Sequence, residues 1–294
     1  MARLLRRIAE EVLGREKASR VWGRVDVVGD IALIKSPRIA GAPDPLTLDD
    51  YRKLADALIE RMGYVRSVWL LTSPTLGDEL VREAVHLAGE KRSVTIYKEH
   101  GCHFKVDVLR VFVTPRLNFE HSRVAALARP GEVVVNMFAG AGIASIVMAC
   151  RKPVVVYSID KSVDAYLAMV ENVELNRRRL RGRVIPIHGD AAYVIENKLR
   201  GVADRVLEPY PRLALEYLGY AVDSLRGKGV IHVYLHVWSG AGEGPIENAV
   251  SQVASRLEAL RLRSWRILGA RRVRRVGPRY VQVVVDVEVD RGGG

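Results

Sequence analysis

The sequence predicts an α/β protein in which a mostly parallel sheet, covered by helices on both faces, follows a smaller α+β domain. From about residue 126 onward, short apolar runs alternate with helical stretches. Those runs are almost continuously apolar, as in strands of a parallel sheet that is buried on both faces. Before that point, strand-like pieces alternate apolar with polar residues or meet at turn signals. We therefore predict two domains, residues 1–125 and 126–294.

The elements of the first domain follow in chain order. Residues 1–20 form a basic helix, and VDVVGDIALIK contains two strand-like pieces around the turn pair Gly29-Asp30. The apolar spacing from Asp49 to Met62 predicts a helix with Asp49 as its N-cap. SVWLLTS is a buried strand. SVTIYKEHG and HFKVDVLRVFVTP are expected to pair in antiparallel fashion.

The second domain begins with the strands EVVVNMFAG, PVVVYSID and RVIPIHGD, each of which ends in Gly or Asp. The helices IASIVMAC and SVDAYLAMVENVELNRRRL lie between them. The stretches ADRVLEPYP, GVIHVYLHV and VQVVVDVEV continue the pattern, with LALEYLGYAVDSLR and NAVSQVASRLEALR as the intervening helices.

The composition favours a globular protein with a polyanionic partner. Hydrophobic residues make up 49% of the 294 residues and charged residues 27%, an ordinary globular balance. The net charge of +12 attracts nucleic acid, although the ion-pair networks of a thermophile also raise the lysine and arginine count. No apolar run reaches about 18 residues and no apolar segment follows the first arginines. We expect no membrane span, no signal peptide and a cytoplasmic protein.

A glycine-rich turn carries the first chemical signal. A buried strand runs directly into FAGAG (residues 138–142), and a helix follows. Glycines there allow a tight turn and the close approach of a ligand at the carboxyl edge of the sheet. The next two strands end in Asp160 and Asp190, which can accept hydrogen bonds from ribose hydroxyls and from the amine of adenine. The alternative is that both aspartates are helix N-caps.

The same turn indicates the kind of nucleotide. It lacks the third glycine of GxGxxG and so has no pyrophosphate clamp. A cofactor that contains adenosine but no phosphate fits best, and S-adenosylmethionine is the common one.

Several motifs together resemble the archaeal and eukaryotic type of tRNA guanine-37-N1 methyltransferase, which modifies the guanine just 3′ of the anticodon. VVVNMFAGAG is similar to the family's D-M-F-A-G-x-G and ENVELN to its N-x-x-L-N. EHGCHFKVDVLRVFVTPRLNFEHSRVA is similar to a segment that reads H-G-x-x-F-x-V-D and then S-P-R-L-x-x-E-R-x-R. The resemblance spans roughly residues 21–240. It implies a Rossmann-like class I methyltransferase domain with a mostly parallel seven-stranded sheet, S-adenosylmethionine as cofactor and tRNA as substrate.

The resemblance also implies roles for individual residues. Glu120 matches the glutamate proposed as general base, which would remove the N1 proton of guanine as N1 attacks the methyl group. Without the resemblance, a solvated helix residue near Arg123 is the better interpretation of Glu120. Arg116 matches an arginine near the cofactor and the bound base. The residues expected to hold the cofactor are Arg116, Phe138, Ala139, Gly140, Gly142, Asp160, Lys161, Asp190, Ala191, Pro209 and Pro211.

Some positions depart from the family's pattern. The strand-end aspartate is Asn136 here, which can still accept a hydrogen bond. The fourth-strand motif, often N-L-P, reads EPYP, so Pro209 replaces an asparagine that would contact the target base or the cofactor. Tyr210 is either a stacking platform for a flipped base or a core aromatic. Arg82 loosely matches a family arginine that helps the reaction and is a candidate catalytic residue.

We expect basic clusters to contact tRNA phosphates, although each cluster alone is more often a solvated face. About 20 residues precede the matching region, so we expect the small N-terminal domain that touches the tRNA elbow in many relatives to be absent. The clusters are Arg3, Arg6 and Arg7; Arg177, Arg178, Arg179, Arg181 and Arg183; and Arg271, Arg272, Arg274 and Arg275.

We expect no metal site and a monomeric protein. In strands, the spacing of His100 and His103 puts the two side chains on opposite faces. His232 and His236 could share a face, but the sequence offers no further ligand. Two other activities stay open. One is the aminocarboxypropyl transferase of the wybutosine pathway, which uses the same cofactor. The other is a catalytically degenerate tRNA-binding protein, which Asn136 and Pro209 keep possible.

Overall fold

The computed structural model describes residues 2–22, 24–36, 44–73, 83–240, 244–260, 262–277 and 279–292. The candidate Arg82 lies outside these ranges. The chain divides into two compact units, Met1–Pro115 and Arg116–Gly294. The boundary follows Pro115 rather than residue 125, because the helix Asn118–Leu127 packs against the helix Ile143–Arg151 of the second unit.

The first unit is the expected α+β region. A four-stranded sheet has the order β1-β2-β3-β4, and β5 and β6 form a separate antiparallel hairpin. The predicted pairs on either side of Gly29 and between residues 94 and 107 are therefore present. The elements are α1 (Ala2–Arg20), β1 (Val25–Val28), β2 (Ile31–Lys35), α2 (Leu48–Arg61), β3 (Ser67–Leu71), β4 (Ala84–Gly89), β5 (Val94–Glu99) and β6 (Cys102–Asp107).

The predicted N-cap of α2 is wrong. Thr47, not Asp49, caps the helix, because its hydroxyl accepts from the Asp50 backbone N at 3.2 Å while the Asp50 carboxylate accepts from the Thr47 backbone N at 3.0 Å. Such a reciprocal pair needs a hydroxyl residue and an acceptor three positions later. Asp49 has no such arrangement and lies in the first turn, where its charge favours the helix dipole.

The second unit alternates helices and strands as predicted. A 3-10 turn (Pro115–Leu117) leads into it, and a π turn (Ile195–Leu199) directly follows the helix Ala191–Val194. The remaining elements are α3 (Asn118–Leu127), β7 (Val133–Asn136), α4 (Ile143–Arg151), β8 (Val155–Asp160), α5 (Val163–Asn176), β9 (Arg183–His188), α6 (Ala191–Val194), β10 (Ala203–Glu208), α7 (Ala214–Ser224), β11 (Leu225–Trp238), α8 (Pro245–Glu258), β12 (Ser264–Arg275) and β13 (Tyr280–Asp290).

These strands form one seven-stranded sheet with the order β12-β13-β11-β10-β7-β8-β9. The pairs from β11 through β10, β7 and β8 to β9 are parallel, and β13 runs antiparallel to both of its neighbours. The predicted fold class is confirmed. β12 was not among the predicted strands, because its arginine-rich sequence suits an exposed edge and carries no continuous apolar run.

Valines of β13 and aliphatic residues of β10 and β11 pack against α7 and α8 on one face of the sheet. On the opposite face, next to α3, the sheet carries polar and charged side chains that are described below. Across the described parts of the chain, no helix combines the length and the apolar character that a membrane crossing requires.

Candidate cofactor and catalytic site

The glycine turn folds tightly over the carboxyl ends of β7 and β8. The Ala139 backbone N donates to the Ile159 carbonyl at 2.8 Å, and the Gly140 backbone N donates to the Asp160 carboxylate at 2.7 Å. Gly142 has φ +79°, and a Cβ on it would lie 2.8 Å from Met169 Cγ. A side chain at this position would therefore be strained both in its backbone and against α5.

Asp160 is placed to bind hydroxyl groups. Its two oxygens accept from the backbone N of Gly140 and, at 3.0 Å, of Ser162. Burial raises the pKa of Asp160 above its usual value even though these hydrogen bonds lower it. A backbone hydrogen bond from Lys161 also lowers this pKa, so about one of the four acceptor positions of the carboxylate remains for a ribose hydroxyl. Ser162, rather than Asp160, is the N-cap of α5.

Asp190, in contrast, is a helix N-cap. One oxygen accepts from the backbone N of Ala192 and Tyr193 at the start of α6, and the other accepts from the Tyr217 hydroxyl at 3.0 Å. The N-cap interpretation that the sequence left open therefore describes Asp190. A contact between Asp190 and adenine stays a prediction.

Aromatic side chains surround the start of the turn. The Phe138 ring lies 5.4 Å from that of Tyr210 and 5.3 Å from that of Tyr217, measured between centroids. The Tyr210 hydroxyl is buried and has no hydrogen-bond partner among the described residues. Tyr210, which lies between Pro209 and Pro211, thus packs its ring against Phe138. Its hydroxyl group is available for a hydrogen bond.

Two further buried polar groups mark this edge of the sheet. Asn136 donates through Nδ2 to Ser145 Oγ at 3.0 Å, while its Oδ1 has no partner within the described chain. Glu208, the last residue of β10, is fully buried, and neither carboxylate oxygen has a described partner. Burial raises the pKa of Glu208 well above its usual value. No local pattern points to Glu208 beyond its place in EPYP.

Asn172 was also missed as a supporting residue. It lies in ENVELN on α5, is fully buried, and donates to the Ala141 carbonyl at 3.1 Å. Through this bond α5 holds the glycine turn. The similarity of ENVELN to the family motif was the available signal.

The candidate base Glu120 is not a solvated helix residue. It lies in the first turn of α3 with 3% of its surface exposed. One carboxylate oxygen accepts from Arg123 Nε at 2.9 Å and from the Tyr234 hydroxyl at 3.2 Å, and the other pairs with Arg271. Tyr234 follows Val233, which is paired with Glu208 at the end of β10. Glu120 therefore lies at the same edge of the sheet as EPYP.

A buried chain of charges extends from Glu120 along the sheet. Arg123 binds the Asp286 carboxylate with both terminal nitrogens at 2.5 and 3.2 Å, and His232 Nδ1 lies 2.6 Å from the same carboxylate. His232 Nε2 lies 2.8 Å from Arg205, which also pairs with Glu132 at 2.7 Å. Because arginine can only donate, His232 Nε2 accepts and its Nδ1 proton points to Asp286. His232 is thus fully engaged in this network.

The other predicted site residues take the following places. Arg116 is half-buried in the turn before α3, four positions ahead of Glu120. Lys161 is exposed directly after β8, and its carbonyl lies 3.1 Å from His188 Nε2. Ala191 is buried in the first turn of α6. The fold thus brings the turn after β7, the ends of β8 and β9, and EPYP to one edge of the sheet.

Several arginines of the basic clusters pair with other side chains of the same chain. Arg6 pairs with Glu10 and Arg177 with Glu174. Arg271 pairs with Glu120, and Arg274 donates to Gln282 at 2.7 Å. Within the ranges that the structure covers, no group of three or more His, Cys, Asp or Glu side chains is arranged to hold a metal ion.

Comparison with known proteins identifies the family. A family model described as TRM5/TYW2 methyltransferase domain matches residues 95–257, which is more than half of the chain. The chain belongs to the TRM5/TYW2 methyltransferase family. The family recognised from the sequence motifs is therefore confirmed, and the enzyme is a methyltransferase whose cofactor is S-adenosylmethionine.

Relatives within this family have names that specify different activities. The chain is 36% identical to the tRNA 4-demethylwyosine(37)-methyltransferase Taw21 of Saccharolobus solfataricus, over 92% of this chain and 95% of that protein. It is 32% identical to the tRNA (guanine(37)-N(1))-methyltransferase Trm5b of Pyrococcus abyssi, over 90% of this chain and 74% of that one. It is also similar to Methanocaldococcus jannaschii Trm5 in complex with adenosine, with a TM-score of 0.77 and 26% identity over 98% of this chain and 79% of that one.

The residues present fit the cofactor. Asp160 keeps about one free acceptor position, Gly142 keeps the turn clear of a side chain, and the Asn136 Oδ1 atom at the end of β7 has no partner within the described chain. A cationic sulfonium and a nucleoside both suit such an acceptor-rich edge.

Proposed function

We propose that this enzyme transfers a methyl group from S-adenosylmethionine to the base at position 37 of tRNA, with N1 of guanine as the acceptor atom. The observation that carries the proposal is the buried carboxylate of Glu120 at the edge where the glycine turn and EPYP lie. The relatives Taw21 and Trm5b both have names that specify tRNA position 37.

The cofactor supplies an electrophilic methyl group on a sulfonium. The chain must remove the proton from N1 and hold the base in line, because N1 has a free lone pair only as that proton leaves. A carboxylate offers about four acceptor positions. Arg123, Tyr234 and Arg271 use three of them. One position on the oxygen that faces Arg271 remains for the N1 proton.

The three partners fix the carboxylate in one orientation. Arg123 is itself held by Asp286, so this side of Glu120 is anchored to β13. Arg271 is different, because 37% of its side chain is exposed and the Phe119 ring lies 4.5 Å from its guanidinium carbon. We propose that Arg271 moves aside when the target base binds, which gives the N1 proton access to the acceptor position that remains on this oxygen.

A second candidate substrate is 4-demethylwyosine at the same position. The similarity to Taw21 covers nearly the whole of both chains, and Pro209 stands where the guanine-modifying family often has asparagine. A proline provides neither a side-chain amide nor a backbone N–H to contact guanine.

The test uses S-adenosylmethionine with distinguishable labels on its methyl group and on its aminocarboxypropyl arm. The enzyme is incubated with an unmodified tRNA transcript that has guanine at position 37, and in parallel with tRNA that carries 4-demethylwyosine there. Nucleosides are then separated and identified by mass. Glu120→Gln is run alongside, with Glu216→Gln as a control, because Glu216 also lies in the first turn of a helix but is exposed.

Labelled 1-methylguanosine that is lost in Glu120→Gln and kept in Glu216→Gln would support the proposal. If the methyl label is found only in the tRNA that carries 4-demethylwyosine, then 4-demethylwyosine, and not guanine, is the target base. Transfer of the aminocarboxypropyl label, or of neither label, would overturn the methylation proposal.

A further inference from the structure

A shallow groove of about 770 Å³ lies within the first unit, between the β1–β2 turn and the outer face of the β5–β6 hairpin. Its lining combines three cations, Arg92, Lys98 and Lys105, with a single carboxylate, Asp30. Tyr64 and the aliphatic side chains of the hairpin complete it. The groove thus has a positive rim and apolar walls.

The floor of the groove is held rigidly. Arg92 pairs with Asp30 through both terminal nitrogens, and the Thr95 hydroxyl donates to Asp30 at 2.6 Å. A Cβ on Gly29 would lie 2.2 Å from the Thr95 hydroxyl oxygen, so only glycine allows the turn to pack this closely. The Arg92 carbonyl accepts from Trp69 Nε1 at 2.9 Å. A ligand therefore meets a preformed surface and pays little for ordering it.

The charge of the groove is unbalanced toward cations. Among the described residues that line the groove, Asp30 is the one carboxylate, and Arg92, which binds it, also contacts Glu90. Lys98 and Lys105 lie on the exposed face of the hairpin, where Lys105 stands opposite Ile96 in the register. These two ammonium groups are directed to the side of the hairpin that faces solvent.

Exposed apolar side chains lie between these cations. Val94 is 40% exposed, Ile96 44% and Tyr64 55%. Aromatic and aliphatic surface beside a positive rim is the pattern of proteins that bind single-stranded nucleic acid, in which phosphates meet the cations and bases lie on the apolar faces. Small molecules usually bind in enclosed pockets, whereas a shallow, open groove can accommodate an extended polynucleotide chain.

We propose that this groove binds a single-stranded segment of the tRNA substrate, with Lys98 and Lys105 against phosphates and Tyr64 against a base. The inference rests on the proposed function for the identity of the RNA. It adds a binding site in the first unit that is separate from the residues that hold the cofactor.

The test measures binding of a fluorescent tRNA transcript, without cofactor, over a range of salt concentrations. Each phosphate contact to single-stranded RNA contributes about 0.7 to the slope of log K against log salt. Lys98→Ala with Lys105→Ala should therefore lower the slope by about 1.4. Tyr64→Ala should weaken binding by roughly five- to a hundredfold and leave the slope unchanged, because stacking carries no charge.

A matched control removes two cations of the same unit that lie outside the groove. Arg15→Ala with Arg52→Ala changes the net charge by the same amount, and both side chains are exposed on helices. An equal change of slope in this control would overturn the proposal, because it would assign the effect to net charge. An unchanged slope in the double lysine variant would also overturn it.

Binding is read independently of turnover, so the proposal and the proposed function can fail separately. If the two lysine substitutions lower the slope as predicted but the wild-type enzyme methylates no base, only the proposed function is refuted. Competition by poly-glutamate that depends on Lys98 and Lys105, together with unaltered tRNA binding in the variants, would assign the groove to an acidic protein segment and overturn the RNA proposal.

Discussion

Replacing Asp286 by asparagine tests the buried charge network beneath α3. The Asp286 carboxylate accepts from both terminal nitrogens of Arg123 and from His232. Asparagine keeps the shape of the side chain and removes its negative charge. Arg123, whose side chain is only 15% exposed, then retains Glu120 as its sole described acidic partner.

The expected magnitude follows from the pKa of Asp286. Burial raises that pKa, but hydrogen bonds from His232 and Arg123 outweigh burial and lower the pKa from 3.8 to about 2. A tenfold change in a protonation equilibrium corresponds to about 1.4 kcal/mol, so the network stabilises the charged form by about 2 kcal/mol. Leaving a buried arginine with one partner fewer adds to this cost. We expect the free energy of unfolding to fall by about 2–4 kcal/mol at pH 7.

The pH dependence has a defined sign. A carboxyl with a lowered pKa in the folded state binds fewer protons when folded than when unfolded. Its stabilising contribution is complete above a pH of about 4 and is lost as the pH falls toward 2. The difference between wild type and Asp286→Asn should therefore narrow over this window.

The measurement is urea unfolding followed by circular dichroism at several pH values from 7 to 3. Glu288→Gln is the control, because Glu288 lies two residues further along β13 and pairs with Lys228 and Arg266, whose side chains are largely exposed. We expect a much smaller change there. Equal unfolding midpoints for wild type and Asp286→Asn at pH 7 would refute the assigned role of the network, as would a difference that stays constant with pH.

Three further predictions concern the cofactor and catalytic site. Glu120→Gln should lower kcat for methyl transfer by about 10²–10⁴-fold because the N1 proton loses its acceptor, while calorimetry should find cofactor binding unchanged; a wild-type kcat would contradict the role of Glu120. Asp160→Asn should weaken S-adenosylmethionine binding by roughly ten- to a hundredfold, since a hydrogen bond to a charged group contributes about 1.5–3 kcal/mol, and an unchanged Kd by calorimetry would exclude Asp160 as the ribose acceptor. Burial raises the pKa of Glu208, so the folded state holds a proton that the unfolded state releases and wild-type stability declines as the pH rises above about 4.5. Glu208→Gln should remove this decline, and parallel stability profiles of the two proteins in urea between pH 5 and 8 would argue against a buried neutral acid.

The geometry of the candidate cofactor site was largely predictable because its signals are local. Glycine at a positive φ, as at Gly142, and an acidic residue directly after a buried strand, as at Asp160, are visible in a few consecutive letters. The sequence did not show whether Asp190 contacts a ligand or caps a helix. It depends on Tyr217, a residue of α7 that the fold brings within 3.0 Å of the carboxylate.

The surroundings of Glu120 could not be predicted from sequence. Arg123 is its neighbour in the helix, but Arg271 and Tyr234 come from strands that are distant in the chain. The arginines of β12 look like a surface cluster in the sequence. In the fold, one of them neutralises a buried carboxylate because β12 lies next to β13.

The sequence by itself determined the α/β class, the glycine turn after β7 and the family, since each depends on residue types at fixed local spacing. The tertiary structure alone decided which charges meet, namely that His232 joins Arg205 to Asp286, that Glu120 is enclosed, and that Glu208 is buried without a described partner. The physical reason is that burial and ion pairing depend on distances between strands whose order in the sheet, β12-β13-β11-β10-β7-β8-β9, differs from their order in the chain.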